Sequence, residues 1–306
     1  MQTALTIGTE YPDRLMIGTG TEDNPWIISD SDHEQNLQNL LDALATPSAY
    51  IKLTKDISAA QSVTYREGIS HAITIAAAKL YADEKVKVSG LIINAYDAFT
   101  EGGGVHTFEN VQFLSMIHNG VGCVLSFVDN DSGKQLHLYD CDFSIIKNCE
   151  GGTPDFSVGC IYTDRCTFNY KAVTEGRNTY FNVFNTSGEF KNTMIHYDGL
   201  LVAYHVSAYS SFAFIRKANR VGITGSITST SNRARIFYSD CSDCYFAGVV
   251  NATRTAVSME SSGTNCLLCI TDKQGDYDST VSTSATEVTP DQLRDRDYLY
   301  GIGFLP

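Results

Sequence analysis

The chain has 306 residues, 35 of them Asp or Glu and 22 Lys or Arg, for a formal net charge of −13. The basic residues are scattered rather than gathered in a stripe that would follow a phosphate backbone, so nucleic acid is not an expected partner. The opening MQTALTIGTEYPDRL has neither the basic start nor the apolar core of a signal peptide, and no later stretch reads as a membrane span. A protein folded in a cytoplasm, without membrane insertion, is the expectation.

Residues 1–30 read as a turn-rich lead-in and attachment segment, with the single tryptophan, Trp26, at the start of its last strand. Ser31 and Glu34 have capping-box spacing, and Leu37, Leu40, Leu41 and Leu44 then share one helical face before Pro47 stops the helix. An amphipathic helix over 31–46 is predicted, suited to covering the open end of a stack of strands. Strands are expected at Tyr50–Leu53, around Ile57, at Ala72–Ala77 and at Lys85–Ile93.

From Leu91 to Leu268 one phrase recurs: a polar turn, a small or apolar residue, any residue, then a large apolar one. Its apolar pairs are Leu91/Ile93, Val111/Phe113, Cys141/Phe143, Cys166/Phe168, Thr193/Ile195, Val221/Ile223, Cys244/Phe246 and Cys266/Leu268. The first members lie 20, 30, 25, 27, 28, 23 and 22 residues apart. Positions two apart share one face of a strand, so parallel stacking of such phrases makes two interior columns, one small and one large. Asn110, Asp140, Arg165, Asn192, Arg220, Asp243 and Asn265 precede the first positions and are predicted to line a bend. An antiparallel sandwich gives no reason for one phrase to recur at this interval. The fold class is therefore all-β, a right-handed parallel β-helix over 31–272 that includes the capping helix. Residues 273–306 read as an extended segment followed by a short helix over 289–300, with Thr289 and Gln292 as its capping box, Leu293 and Leu299 turned inward, and Gly301 as the stop.

The segment GTEDNPWIISDSDHEQNLQNLL followed by YIKLTKDI, the Asn- and Cys-containing coils, and the ending TPDQLRDRDYLYGIGFLP resemble right-handed parallel β-helix proteins of the pectate-lyase-like superfamily. They are most similar to those of bacteriophage virions and bacterial surface repeat proteins, over residues 17–306. The phage branch implies a spike, fibre or decoration protein of the virion, commonly a homotrimer, held to other virion proteins through its N-terminal segment and binding or degrading host-surface glycan. The superfamily's Gly-His-Gly and Arg-Ile-Lys motifs are missing from this sequence, which argues against pectin cleavage.

Three sets of residues invite chemistry. Cys241-x-x-Cys244 and Cys266-x-x-Cys269 outline a four-thiolate zinc site, but the same residues fit the interior column that begins with Cys141 and Cys166. In that register Cys241 and Cys269 lie at opposite ends of their strands, whereas a slip of three residues would align both pairs. Asp140, Asp142 and Asp164 cluster at two successive coil starts, with Asp129, Asp131 and Glu150 in neighbouring loops; glycan hydrolysis needs two carboxyl groups about 5 to 9 Å apart, yet acidic residues at bends also simply cap turns. Tyr162, Tyr170, Tyr180, Tyr197, Tyr204, Tyr209 and Tyr238 crowd the second half, where phenols suit sugar contact or a seam between subunits. The seven histidines have no ligand spacing, and no cofactor is expected. The leading expectation is a non-enzymatic virion protein; a glycan depolymerase and a bacterial adhesin are the alternatives.

Overall fold

A computed structural model describes residues 4–6, 15–28, 33–58, 62–63, 73–76, 79–93, 99–101, 104–119, 125–127, 135–147, 156–158, 160–172, 188–201, 213–215, 218–229, 233–238, 241–252, 256–260, 265–274 and 285–304. The architecture is the expected one, a parallel β-helix with few helices. Strands from successive coils pair in parallel along the whole stack, from Trp26–Ile28 against Tyr50–Leu53 to Cys266–Gln274 against Ala285–Glu287. Among the described residues two further parallel sheets form elsewhere on the coils, one containing Phe99–Glu101 and Leu125–Phe127, the other Arg233–Tyr238 and Ala256–Glu260.

The bend is the local event that generates this fold. Asn110, Asp140, Arg165, Asn192, Arg220, Asp243 and Asn265 all take positive φ, between 46° and 59°. Asn and Asp tolerate this left-handed conformation better than other residues with a Cβ. The sheet turns the corner without losing backbone pairing. Before the turn, the Asp140 N–H donates to the Asp164 carbonyl at 3.0 Å and the Arg220 N–H to the Ser242 carbonyl at 3.1 Å; after it, the Thr167 N–H donates to the Cys141 carbonyl at 3.0 Å.

Three interior columns follow from that geometry. Two residues before the bend stand Phe108, Leu138, Thr163, Phe190, Ala218 and Cys241, paired coil to coil, with Leu80 beside Phe108 at the head of the column. One residue after it stand Val111, Cys141, Cys166, Thr193, Val221, Cys244 and Cys266. Three after it come Phe113, Phe143, Phe168, Ile195, Ile223, Phe246 and Leu268, again in register. No member of the two columns after the bend is more than 2% exposed. Phe113, Phe143 and Phe168 stack with centroids 5.3 Å apart at each step, the last pair only 5° from parallel, a spacing close to that between strands.

The first phrase departs from the expected register. Val86 and Val88, not Leu91 and Ile93, stand beside Val111 and Phe113, while Ile93 pairs with His118. Gly90 at φ 74° and Ser115 at φ 55° make a second bend farther along the same coils. Leu91 therefore copies the outline of the repeat one corner late.

The ends are closed by different devices. Helix α1, His33–Leu44, buries Leu37, Leu40, Ala43 and Leu44 in the main core beside Trp26 and Ile51. It follows the first strand of the stack, so Trp26–Ile28 belongs to the β-helix as well as to the lead-in. The proposed cap Ser31 lies outside the described residues. Ahead of the stack, Ala4–Thr6, Leu15–Ile17 and Trp26–Ile28 pair antiparallel. At the other end the single helix expected over 289–300 is two: α2, Pro290–Arg294, and α3, Arg296–Gly301. Asp295, extended at φ −84° and ψ 107°, ends α2 and caps α3 by accepting from the Tyr298 N–H at 3.1 Å. The Thr289–Gln292 capping box forms as predicted, and Leu299 is buried with Leu293 packed beside it. Of the extended segment after residue 273, Ala285–Glu287 forms the last strand, and 275–284 lie outside the described residues.

Candidate functional site

The bend column carries the acidic residues singled out in the sequence. Arg165 grips Asp140 on the preceding coil with two hydrogen bonds, Nε to Oδ1 at 2.9 Å and Nη2 to Oδ2 at 2.7 Å, and reaches Asp164 with Nη1 at 2.5 Å. Asn192, one coil on, donates from Nδ2 to Asp164 Oδ1 at 2.7 Å. Asp142 points outward after the bend and receives Lys85 Nζ at 2.9 Å together with the Gln112 side-chain amide. Asp129, Asp131 and Glu150 lie outside the described residues. The three carboxylates are thus close in the fold, as their spacing suggested, but each is held by a cation or an amide from another coil.

The electrostatics bear on what they can do. The Arg165 guanidinium holds the Asp140 carboxyl below the usual aspartate range. A general acid for glycoside cleavage needs the opposite shift, one that keeps its proton near neutral pH. Asp140 is therefore an anion that ties coils together and is badly suited to giving up a proton. Lys85 and Gln112 were not singled out in the sequence as partners of Asp142. Gln112 pairs with Asp142 from the preceding coil, and Lys85 reaches it from the coil before that.

The cysteine motif resolves into two unlike halves. A residue two before the bend and a residue one after it both face inward, so Cys241 and Cys244 straddle the bend at Asp243 in different interior columns. Cys266 is one after its bend and faces inward; Cys269 is four after it and faces outward, buried at 1% exposure against Val288 and Leu299 under the C-terminal helices. The alignment by a three-residue slip does not occur: Leu267 pairs with Tyr245 and Cys269 with Ala247. Four thiolates cannot converge across a strand, and among the described residues no group of three or more His, Cys, Asp or Glu side chains is placed to hold a metal. Burial pushes the Cys166 thiol up to about 12 and raises those of Cys141 and Cys269 as well; that of Cys244 is raised by its contact with Cys266 and by burial. With their pKa values raised, these thiols are protonated at neutral pH and are poor nucleophiles.

The small column has a task of its own. Four of its polar members reach back to the carbonyl two residues earlier, across the bend, while Cys266 Sγ lies 3.5 Å from the Cys241 carbonyl of the preceding coil. Cys141 Sγ lies 3.3 Å from the Tyr139 oxygen, Cys166 Sγ 3.4 Å from that of Asp164, Thr193 Oγ1 2.7 Å from that of Lys191 and Cys244 Sγ 3.1 Å from that of Ser242. Since the Thr193 hydroxyl donates to Lys191, the Thr163 hydroxyl donates to it in turn, at 2.8 Å, and two buried polar side chains are satisfied together.

The tyrosines separate. Tyr170 is an interior residue, 2% exposed, beside the Phe168 column. Tyr180, Tyr204 and Tyr209 lie outside the described residues, as do the side chains of Tyr197 and Tyr238. Tyr162 faces outward and stacks on His137 of the preceding coil, centroids 4.8 Å apart and planes within 24°. His137 Nε2 donates to Gln135 Oε1 at 2.9 Å and its Nδ1 accepts from the Tyr139 hydroxyl at 3.1 Å. Burial lowers the His137 pKa, so the ring is neutral at pH 7. These rings pile along the axis of the helix at the strand spacing, and the group offers hydroxyls and amides rather than one flat platform. The alternating Gln135-x-His137-x-Tyr139 was its signal in the sequence.

No protein-family model matches the sequence, and no curated protein does. Among solved structures, the crystal structure of a Bacteroides ovatus protein described as a "putative immunoglobulin A1 protease" is similar over 93% of this chain and 89% of that one, with 14% identity and a TM-score of 0.46. A likeness at that level carries no argument about function, and the β-helical architecture rests on this chain's own strand pairing.

Proposed function

We propose that this chain is a non-enzymatic β-helical attachment protein, a virion spike, fibre or decoration subunit that assembles as a homotrimer and presents its coils to host-surface glycan. The observation that carries the non-enzymatic part is the state of Asp140, Asp142 and Asp164, each committed to a contact between coils, with Asp140 held anionic by Arg165. The virion assignment rests on the resemblance of the N-terminal, coil and C-terminal segments to phage β-helix proteins. Outward hydrogen-bonding edges such as His137, Tyr139 and Tyr162 are of the kind that recognises sugar hydroxyls.

A depolymerase on the same scaffold is favoured by one observation, that the three aspartates gather around one bend on successive coils. Incubating the purified chain with surface polysaccharide from candidate host bacteria separates the readings. Binding without release of reducing ends is expected. Reducing ends released by the wild type and abolished in Asp140→Asn, Asp142→Asn or Asp164→Asn would overturn the non-enzymatic reading. Capsid, portal or tail genes beside the coding sequence support the virion role, and an export signal upstream would replace it with an adhesin.

A further inference from the structure

The two outward faces that meet at the bend differ in charge over part of their length. Before the bend, charged side chains occur in opposed pairs: Lys79 with Glu109 at 2.7 Å, Lys191 with Glu189 at 3.1 Å and Lys52 with Asp83 at 2.7 Å. After the bend, Asp142 with its Lys85 partner stands at one edge and Lys171 opposite Asp198 farther along the strands; between them Thr167, Asn169, Met194, His196, Thr224 and Tyr245 succeed one another on adjacent coils without a carboxylate or an ammonium at those positions. Thr167, Asn169 and His196 are exposed, and Met194 is 42% exposed.

The foot of this face is already covered, and by the chain itself. On the next coil its two columns continue as Leu267 and Cys269, each 1% exposed beneath Leu299, with Tyr298 and Phe304 packed against them. Asn265 Nδ2 fastens the cover by donating to the Gly303 carbonyl at 2.9 Å. Tyr245 joins covered and uncovered parts. Its ring lies across Gly222, where a Cβ would come within 2.5 Å of it, its hydroxyl is 3.6 Å from Met194 Sδ, and its edge meets Phe304 at 6.4 Å between centroids. One surface therefore runs from coils that an apolar segment of this chain covers to coils that nothing among the described residues covers.

We infer that the uncovered stretch, centred on Met194, is the seam at which a second copy of this chain docks. Each copy carries a net charge of −13, so two copies repel as they approach and meet at least cost where neither contributes a carboxylate. The polarisable, flexible thioether of Met194 suits packing against a surface of the second copy. The occupant of the foot, drawn from the same sequence, has the chemistry such a contact requires. This assignment rests on the proposed homo-oligomer and names its interface.

Sedimentation velocity on the full chain at micromolar concentration tests it. The wild type is expected to sediment as an oligomer. Met194→Glu is expected to raise the dissociation concentration at least tenfold with an unchanged far-UV spectrum, whereas Thr107→Glu, on the face before the bend, leaves assembly as it was. If Met194→Glu does not fold, His196→Glu carries the same expectation. A wild type that stays monomeric, or glutamate variants that assemble like it, would overturn the seam. Loss of glycan binding in Met194→Glu with assembly intact overturns it too, because the occupant is then sugar. An oligomer that depends on Met194 but binds no glycan sustains the seam while removing the attachment role.

Discussion

The two interior columns that follow the bend differ in size and in chemistry, although they lie only two residues apart. The nearer column holds Val, Cys and Thr, the farther one Phe, Ile and Leu. A residue immediately after a left-handed turn sits in a tight corner, where a compact side chain fits and the carbonyl two residues back comes within reach of a hydroxyl or a thiol. Two residues on, the strand has left the corner and only apolar volume is required. The nearer column therefore selects for shape plus a weak donor, the farther for bulk alone.

That contrast can be broken at both columns. Phe168→Ala removes the end of a three-ring stack and is expected to cost about 4 kcal/mol by chemical denaturation, the largest single effect. Thr193→Val keeps the volume but strands the Thr163 hydroxyl, for an expected loss of about 2 kcal/mol, while Thr193→Cys, matching its neighbours, should cost less than half as much in the same measurement. If Val were tolerated and Cys were not, the donor role of this column would be refuted.

The bend itself gives smaller effects of either sign. Arg220→Gly relieves a side chain of φ 56° and is expected to stabilise by up to about 1 kcal/mol, the left-handed penalty less the added freedom of the unfolded chain. The same change at Arg165 also discards its contacts to Asp140 and Asp164, so its gain should be smaller or absent. Asp140→Asn is expected to lower stability at pH 7 by less than about 1 kcal/mol, as for exposed ion pairs generally. The sign with pH follows from the depressed folded-state pKa of Asp140. Its contribution is present above the ordinary aspartate pKa and disappears as pH falls through the lower folded value, so wild type and variant should converge in acid denaturation.

Much of this scaffold was legible in the sequence because its cause is local. A left-handed residue, a small one and a large one at fixed spacing recur wherever the chain turns, and strand pairing then carries them into register. Leu91 and Ile93 were misassigned because Gly90 opens a second bend with the same local outline, and only pairing across coils tells the two apart. Tyr170 is one of the phenols expected at a sugar contact or a subunit seam, yet Phe168-x-Tyr170 has the spacing of two inward residues and Tyr170 is interior. The zinc outline arose because a bend changes the alternation of faces, so that one Cys-x-x-Cys straddles a corner and the other crosses a strand. Partners such as Lys85 for Asp142 lie 57 residues apart in sequence, and nothing local announces them.

The bend also acts as a phase reset. Successive bend residues from Asn110 to Asn265 stand 22 to 30 residues apart, yet every one returns to the same conformation and the same register. Most of the extra length falls between the end of one arm and the start of the next, and single extra residues are absorbed as register shifts between Phe113 and Met116 and between Gly248 and Val249, beyond which pairing resumes. Loops of this chain are therefore free to lengthen, shorten or be exchanged one coil at a time. A lineage, or an engineer, can redraw what the surface displays while leaving the columns that hold it untouched.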